Sequence, residues 1–396
     1  MNGDLRMDAA NRTEDDVVSQ ILKFDIDTPA FIVSEDLLLK NLSVLDRVKR
    51  ESGAKILLAL KAFAMYKTFP LLNTVLDGVC ASSPNEARLG REEFGGIVES
   101  FAAAYSDADM EKLLLYSDHI VFNSFQAKEK FSPLIKAFGR DIEIGIRLNP
   151  ELSTTACEMY DPCSKKSRLG VRKRDFRPDK LDDVDGFHWH TLCEQNADDM
   201  KKTLDAAEKK WGSFFKDRKW LNLGGGHHIT RADYNVGLLT DTIKYLRTTY
   251  GCDVYLEPGE AVALNAGYLI ASVLDIIDAD MPIAVLDASA ACHMPDVLEM
   301  PYRPNVIGSA AIDVKKYSYR LAGKSCLAGD VIGEYSFDRP LKTGDRLLFC
   351  DMAIYSMVKT NTFNGLDLPS LCLLRQGGEK LDVVRRFSYS DFKGRL

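Results

Sequence analysis

Short apolar runs alternate with amphipathic, charge-bearing stretches through the first two-thirds of the chain. Eight runs stand out, at 55–63, 78–83, 98–104, 119–124, 142–150, 186–192, 220–226 and 253–258. They are rich in β-branched and aromatic residues, and most are apolar on both alternating faces. That is the pattern of strands buried on both sides, as in a parallel sheet covered by helices. Helical periodicity fills the spaces between them, at 107–116, 126–138, 197–210 and 231–250. Eight strand–helix units predict a (β/α)8 barrel.

After about Ala266 the helical period fades. Strand-like runs follow at 268–277, 283–287, 345–350 and 380–386, with turn signals such as Thr343-Gly344-Asp345 between them. This predicts an antiparallel β domain. A further strand candidate, 28–34, precedes the first barrel helix and is expected to join that domain. The expected organisation of this α/β chain is a tail and strand at 1–34, the barrel at 35–265, and the β domain at 266–396. The tail up to Phe24 is longer than a barrel entry needs, and Met7 is an alternative start. The stretch 151–181 is polar and irregular, and loops of that length are often functional.

Composition narrows the class. The chain has 396 residues, of which 51 are basic and 58 acidic, giving a net charge of −7. At 46% hydrophobic it is too apolar to be disordered, and it is too acidic for a general nucleic-acid binder. The longest apolar stretches, such as Ile56–Leu60, fall far short of the roughly 20 residues that span a bilayer, and Met1–Asp16 has no apolar signal core. Neither nucleic acid nor membrane is expected as a partner. Nine scattered cysteines without a Cys-x-x-Cys pair point to reduced thiols in a cytoplasmic protein, with no zinc knuckle.

Chemistry gathers where the apolar runs end. Lys61 closes the first run, at the barrel end where active sites assemble. It reads either as a lysine snorkelling to the mouth or as one that forms a Schiff base with an aldehyde. Gly224-Gly225-Gly226 follows the seventh run and is either a tight turn or a backbone nest for phosphate. Glu257, in Glu257-Pro258-Gly259-Glu260, ends the eighth; it suits a salt bridge or a pyridinium nitrogen. His188-Trp189-His190 ends the sixth, with both histidines on one side and Trp189 on the other. A stacking or structural histidine fits that arrangement better than a metal ligand, so no metal is expected. A phosphate-bearing aldehyde satisfies all four strand ends together, and pyridoxal 5'-phosphate is such a molecule.

With those residues in place, the chain resembles the alanine-racemase-fold decarboxylases, the family that includes ornithine and diaminopimelate decarboxylases. The resemblance runs from about Thr28 to Val384. It implies that Lys61 is the Schiff-base lysine, that His190 stacks on the cofactor ring, that Gly224, Gly225 and Gly226 hold the phosphate, and that Glu257 faces the pyridine nitrogen. It implies that Tyr355, eight residues before Phe363-Asn364-Gly365, contacts the phosphate. Ser325-Cys326 with Asp330 is similar to a loop that a partner subunit lends to the active site, which implies a homodimer. Cys326 is then the candidate donor of a proton to the substrate's α-carbon, with Lys61 the competing one.

The departures from the family pattern carry information. Glu260 stands where better-known members have an arginine, Leu327 where they have an acid, and Cys193 at a phosphate-contacting serine position. Glu260-Ala261, Gly226-His227-His228, Cys292–Asp296 and Ser325–Asp330 resemble the branch that decarboxylates carboxynorspermidine or carboxyspermidine in polyamine biosynthesis. A carboxylate at position 260 favours a cationic amine over an anionic substrate end. Glu260, Asp296 and Asp330 are the expected substrate contacts, while His293 receives no role. Competing readings are a decarboxylase of the same fold for diaminopimelate, ornithine or arginine, an amino-acid racemase, an inactive regulator that keeps the fold, and a cofactor-free aldolase using Lys61.

Overall fold

The protein was analysed as a computed structural model that describes residues 12–155, 158–300 and 302–396. Cys157 and most of the N-terminal tail, including Met7, lie outside the described residues. The chain divides into two compact units, one made of residues up to Lys40 and from Ala263 onward, the other of Asn41–Val262.

The first strand, β1 (Ala30–Ser34), belongs to the unit built from both chain ends. The other unit is a closed barrel of eight strands: β2 (Lys55–Ala59), β3 (Gly78–Ala81), β4 (Ile97–Phe101), β5 (His119–Phe122), β6 (Glu143–Arg147), β7 (Gly186–His188), β8 (Trp220–Asn222) and β9 (Asp253–Leu256). All neighbouring pairs are parallel, and β2 pairs with β9 to close the ring. The strands are buried almost throughout, because helices cover the outside while side chains fill the inside. One end of the interior is filled by Trp220, clustered with Leu57, Cys80, Val121 and Tyr255. That ring explains Gly186 on the neighbouring strand. A Cβ there would lie 2.1 Å from the Trp220 ring.

The remaining strands are β10 (Gly267–Ile277), β11 (Ile283–Leu286), β12 (Ser309–Ala310), β13 (Tyr317–Ala322), β14 (Val331–Phe337), β15 (Arg346–Cys350), β16 (Ser370–Leu374) and β17 (Leu381–Arg385). With β1 they form one nine-stranded sheet, ordered β12-β14-β13-β11-β10-β1-β16-β17, with β15 paired to β10. The sheet is mixed, where the sequence pattern predicts an antiparallel one. β1 runs parallel to β16, and β11 parallel to β13. Both pairs join strands distant in sequence, so no hairpin turn forces them antiparallel. No helix among the described residues is long and apolar enough to cross a membrane.

Candidate active site

The barrel collects its polar side chains at the C-terminal ends of its strands. Lys61 sits in an exposed turn directly after β2. That turn is pressed against the segment following β9. The Ala59 amide donates to the Pro258 carbonyl at 3.0 Å, and a Cβ on Gly259 would fall 2.6 Å from the Ala62 Cβ. Lys61 and Glu257-Pro258-Gly259 therefore share one stretch of the rim.

Glu257 is buried, and both its oxygens lie 3.3 Å from His188 Nε2. Asn222, the last residue of β8, donates its side-chain amide to Glu257 Oε1 at 2.8 Å. Burial alone would push this carboxyl up, but His188 and the hydrogen bonds it accepts hold it well below the ordinary carboxylate range. His188 stacks on Phe101 with ring centroids 5.5 Å apart. Trp189 points the other way and stacks on Phe215 at 5.6 Å, as strand alternation requires.

His190 accepts a hydrogen bond at Nδ1 from the Gly225 backbone amide, at 3.0 Å. Desolvation, and then the positive charges of Lys61 and Arg147, keep its pKa well below the ordinary value. The imidazole is thus neutral, with its proton on Nε2. The glycine loop after β8 is confined on every side. Gly224 and Gly226 have φ of 70° and 82°. A Cβ on Gly225 would lie 2.1 Å from the Glu257 carbonyl oxygen, and one on Gly226 1.9 Å from that of Leu192. Bare backbone is therefore a steric requirement here.

Three further residues belong to the site although the strand-end argument passed over them. Arg147 ends β6, buried, with Nη2 donating to the His190 carbonyl at 2.9 Å and its guanidinium 4.5 Å from the Phe101 ring centroid. Burial lowers its pKa to about 10, against the opposing pull of Glu257. Its signal is a basic residue inside the apolar run 142–150. Glu99 and Asn222 are the other two, both with no solvent exposure. The polar groups of Glu99, His188 and Glu257 come within 4.8 Å of one another. Asn222 fills that space with N–H donors, since it also reaches Glu99 at 2.5 Å, so the group reads as a hydrogen-bonded cluster.

Glu260 begins a short helix after β9, and its Oε2 accepts from His228 Nε2 at 2.9 Å. Glu194 faces the same carboxylate; burial and then Glu260 raise its pKa. His227 next to it is buried, its Nδ1 2.6 Å from the Tyr234 hydroxyl. Cys193 is half-buried and donates its backbone amide to Gln195 Oε1 at 3.4 Å.

The other expected site residues lie in the unit that carries the sheet. Cys326 is exposed, and its backbone amide donates to Asn364 Oδ1 at 2.7 Å. Tyr355 adopts a positive φ of 50°. Asp330 is 3% exposed and accepts from the Ser289 hydroxyl at 2.8 Å, the Ser325 amide at 3.1 Å and the Ala291 amide at 3.2 Å. Its oxygens hold the 323–330 loop to the 289–291 turn. Asp296 pairs with Lys359, which also reaches Glu299 at 2.5 Å. His293 is buried between the Ser289 amide and the Asp367 carbonyl, each at 3.2 Å.

Residues 26–353 match the family model described as pyridoxal-dependent decarboxylase, C-terminal sheet domain. The chain belongs to the pyridoxal-dependent decarboxylase family. Its cofactor is pyridoxal 5'-phosphate, and the family's members are lyases. The carboxynorspermidine/carboxyspermidine decarboxylase of Campylobacter jejuni subsp. jejuni is 41% identical over 378 residues, covering 93% of this chain and 98% of that one. The carboxyaminopropylagmatine decarboxylase of Synechocystis sp. is 40% identical over 371 residues, covering 93% and 95%. A crystal structure of the Campylobacter jejuni carboxynorspermidine decarboxylase, complexed with norspermidine, superposes with a TM-score of 0.88 at 40% identity, covering 94% of this chain and 100% of that one. The barrel residues fit the cofactor: a lysine at the rim, a glycine cradle that any Cβ would fill, a neutral imidazole beside it, and an ionised carboxylate below.

Proposed function

We propose that the protein decarboxylates a carboxylated polyamine, carboxynorspermidine or carboxyspermidine, releasing norspermidine or spermidine. The observation that carries this reading is the Glu260 carboxylate, held by His228 at 2.9 Å on the rim it shares with Lys61 and Glu257. An anion there suits a distal ammonium and disfavours the carboxylate end of diaminopimelate. The named activities of the relatives above support the same substrate class.

Lys61 is the residue that would hold the cofactor covalently through Nζ. The bound cofactor supplies an electron sink conjugated to the substrate's α-amine. Glu257 would accept the hydrogen bond of the ring nitrogen and keep it protonated. His190, neutral and fixed by Gly225, would offer a flat uncharged face to the ring. The glycine loop would carry the phosphate, with Tyr355 the proposed further contact to it. As carbon dioxide leaves, the α-carbon takes up one proton. Cys326 is the proposed donor, from a loop lent by the partner of a homodimer, and Lys61 is its competitor. Asp330 holds that loop in shape. Asp296 contributes to substrate binding only by exchanging its Lys359 partner for a substrate amine, so Glu260 is the primary contact. The reaction is placed in the cytoplasm, where the scattered thiols stay reduced.

A guanidinium-ended substrate is the second reading, favoured by the 40% identity to the Synechocystis enzyme. Product analysis tests both. Purified holoenzyme incubated with carboxynorspermidine should yield norspermidine in equal amount to the carbon dioxide released. Conversion of carboxyaminopropylagmatine alone would move the assignment to the second reading, and conversion of neither would overturn both.

A further inference from the structure

The interior of this barrel departs from the usual filling. Layers of branched apolar side chains normally occupy it. Here a file of polar groups runs inward from Glu257. Asn222 Nδ2 lies 2.8 Å from Glu257 Oε1 and 2.5 Å from Glu99 Oε1. The other oxygen of Glu99 is 3.1 Å from His119 Nδ1, and His119 Nε2 is 3.3 Å from Glu143, at the opposite strand ends. Glu99 has no solvent exposure and Glu257 has 4%.

Two carboxyl groups in one dry site do not both ionise, because like charges at low dielectric repel strongly. Each has Asn222 and a histidine beside it, but His188 Nε2 lies 3.3 Å from both oxygens of Glu257, whereas His119 meets one oxygen of Glu99 and is shared with Glu143, so Glu257 has the better support for its charge. Burial raises the pKa of Glu99, against the opposing His119, which agrees with that division. The titratable groups around Glu99 are Glu257, His188 and His119, with Cys80, Tyr105 and Tyr255 beyond them kept neutral by burial.

We propose that Glu99 is a positioning residue, the proton-bearing member of a carboxyl pair bridged by Asn222, and that it fixes both the place and the charge of Glu257. This rests on the reading of Glu257 as partner of the cofactor's ring nitrogen. A neutral acid at position 99 donates its proton toward Glu257 while Asn222 gives one amide to both. The pair then carries a single negative charge, which stays on the carboxylate nearer the mouth. An ionised Glu99 paired with a protonated His119 is the competing arrangement.

The test uses the apo protein titrated with pyridoxal 5'-phosphate, following the visible absorbance of the lysine-bound cofactor against pH. Glu99→Gln keeps the shape and neutrality of a protonated acid. It should retain cofactor affinity within about 3-fold and leave the absorbance titration in place. Glu99→Leu removes the donor and leaves Asn222 with Glu257 as its only carboxyl partner. It should weaken cofactor binding by about 10-fold or more and shift the titration midpoint. Loss in a folded Glu99→Gln variant as severe as in Glu99→Leu would overturn the proposal in favour of an ionised Glu99. A folded Glu99→Leu variant with wild-type affinity and titration would overturn it outright. Where Glu99→Leu does not fold, Glu99→Gln decides alone. Glu257→Ala separates the two readings: if it leaves the titration unmoved, the assignment of Glu257 fails. If it moves the titration and Glu99→Leu does not, only the role of Glu99 fails.

Discussion

Glu260 accepts a hydrogen bond from His228 Nε2 at 2.9 Å. The carboxylate is therefore oriented before any substrate arrives. Glu260→Arg should raise KM for a carboxylated triamine by about 100-fold, the cost of turning an attractive contact into a repulsive one. The affinity for pyridoxal 5'-phosphate should change by less than about 3-fold, since no cofactor contact is lost. Steady-state kinetics beside cofactor titration check this, and equal loss in both would count against a substrate role.

Gly225 leaves no room for a side chain. A Cβ would lie 2.1 Å from the carbonyl oxygen of Glu257, the proposed ring-nitrogen partner. Gly225→Ala should weaken cofactor binding by about 10-fold or more and destabilise the barrel by about 1–3 kcal/mol. Cofactor titration and thermal unfolding read the two effects separately. Gly139→Ala, at a site where the Cβ meets nothing within 4 Å, is the comparison for a purely conformational glycine.

The proposed sharing of active sites between subunits gives a mixing experiment. Lys61→Ala and Cys326→Ala should each be nearly inactive alone. Equilibrated together, they should recover about a quarter of wild-type activity, because half the molecules are mixed dimers with one intact site of two. No recovery on mixing, with exchange verified by tagged subunits, would place Cys326 in its own subunit's site or outside catalysis.

Acid should destabilise the fold through its buried neutral histidines. Burial lowers His227 and His293 to about 4, from an unfolded value of 6.5. Between those values the unfolded chain binds more protons than the folded one. The stabilisation is complete above 6.5 and is lost as pH falls toward 4, at most about 3 kcal/mol for each histidine. His190 contributes in the same direction. Thermal unfolding at pH 7 and pH 5 should show a lower Tm at pH 5. The drop should be smaller in His293→Gln, whatever its absolute stability.

The residues that ended apolar runs were readable from the chain. Lys61, Glu257, His190 and the three glycines each interrupt such a run where a barrel strand must stop, and the structure places them on one rim. Glu99 was hidden by its neighbours. It sits mid-strand in Ile97-Val98-Glu99-Ser100-Phe101, and a single charge in a short run does not reveal whether it faces the interior. Its partner His119 stands opposite it on the adjacent strand β5, while Asn222 comes from β8, which barrel closure brings across the interior. Strands β13, β14 and β16 escaped the pattern for a related reason. Their pairing is set by contacts across the sheet, and β16 lies beside β1 from the opposite end of the chain. At Asp330 the motif pointed to a loop near the substrate, but only the structure shows the carboxylate turned into that loop's own backbone.

The central claim is tested most directly by carbon dioxide release from the holoenzyme with carboxynorspermidine, carboxyspermidine, diaminopimelate and ornithine compared side by side. The account predicts kcat/KM for a carboxylated triamine at least about 100-fold above either amino acid, the margin expected when a half-buried carboxylate reads a distal ammonium. Diaminopimelate or ornithine turned over as well as the triamines would contradict it.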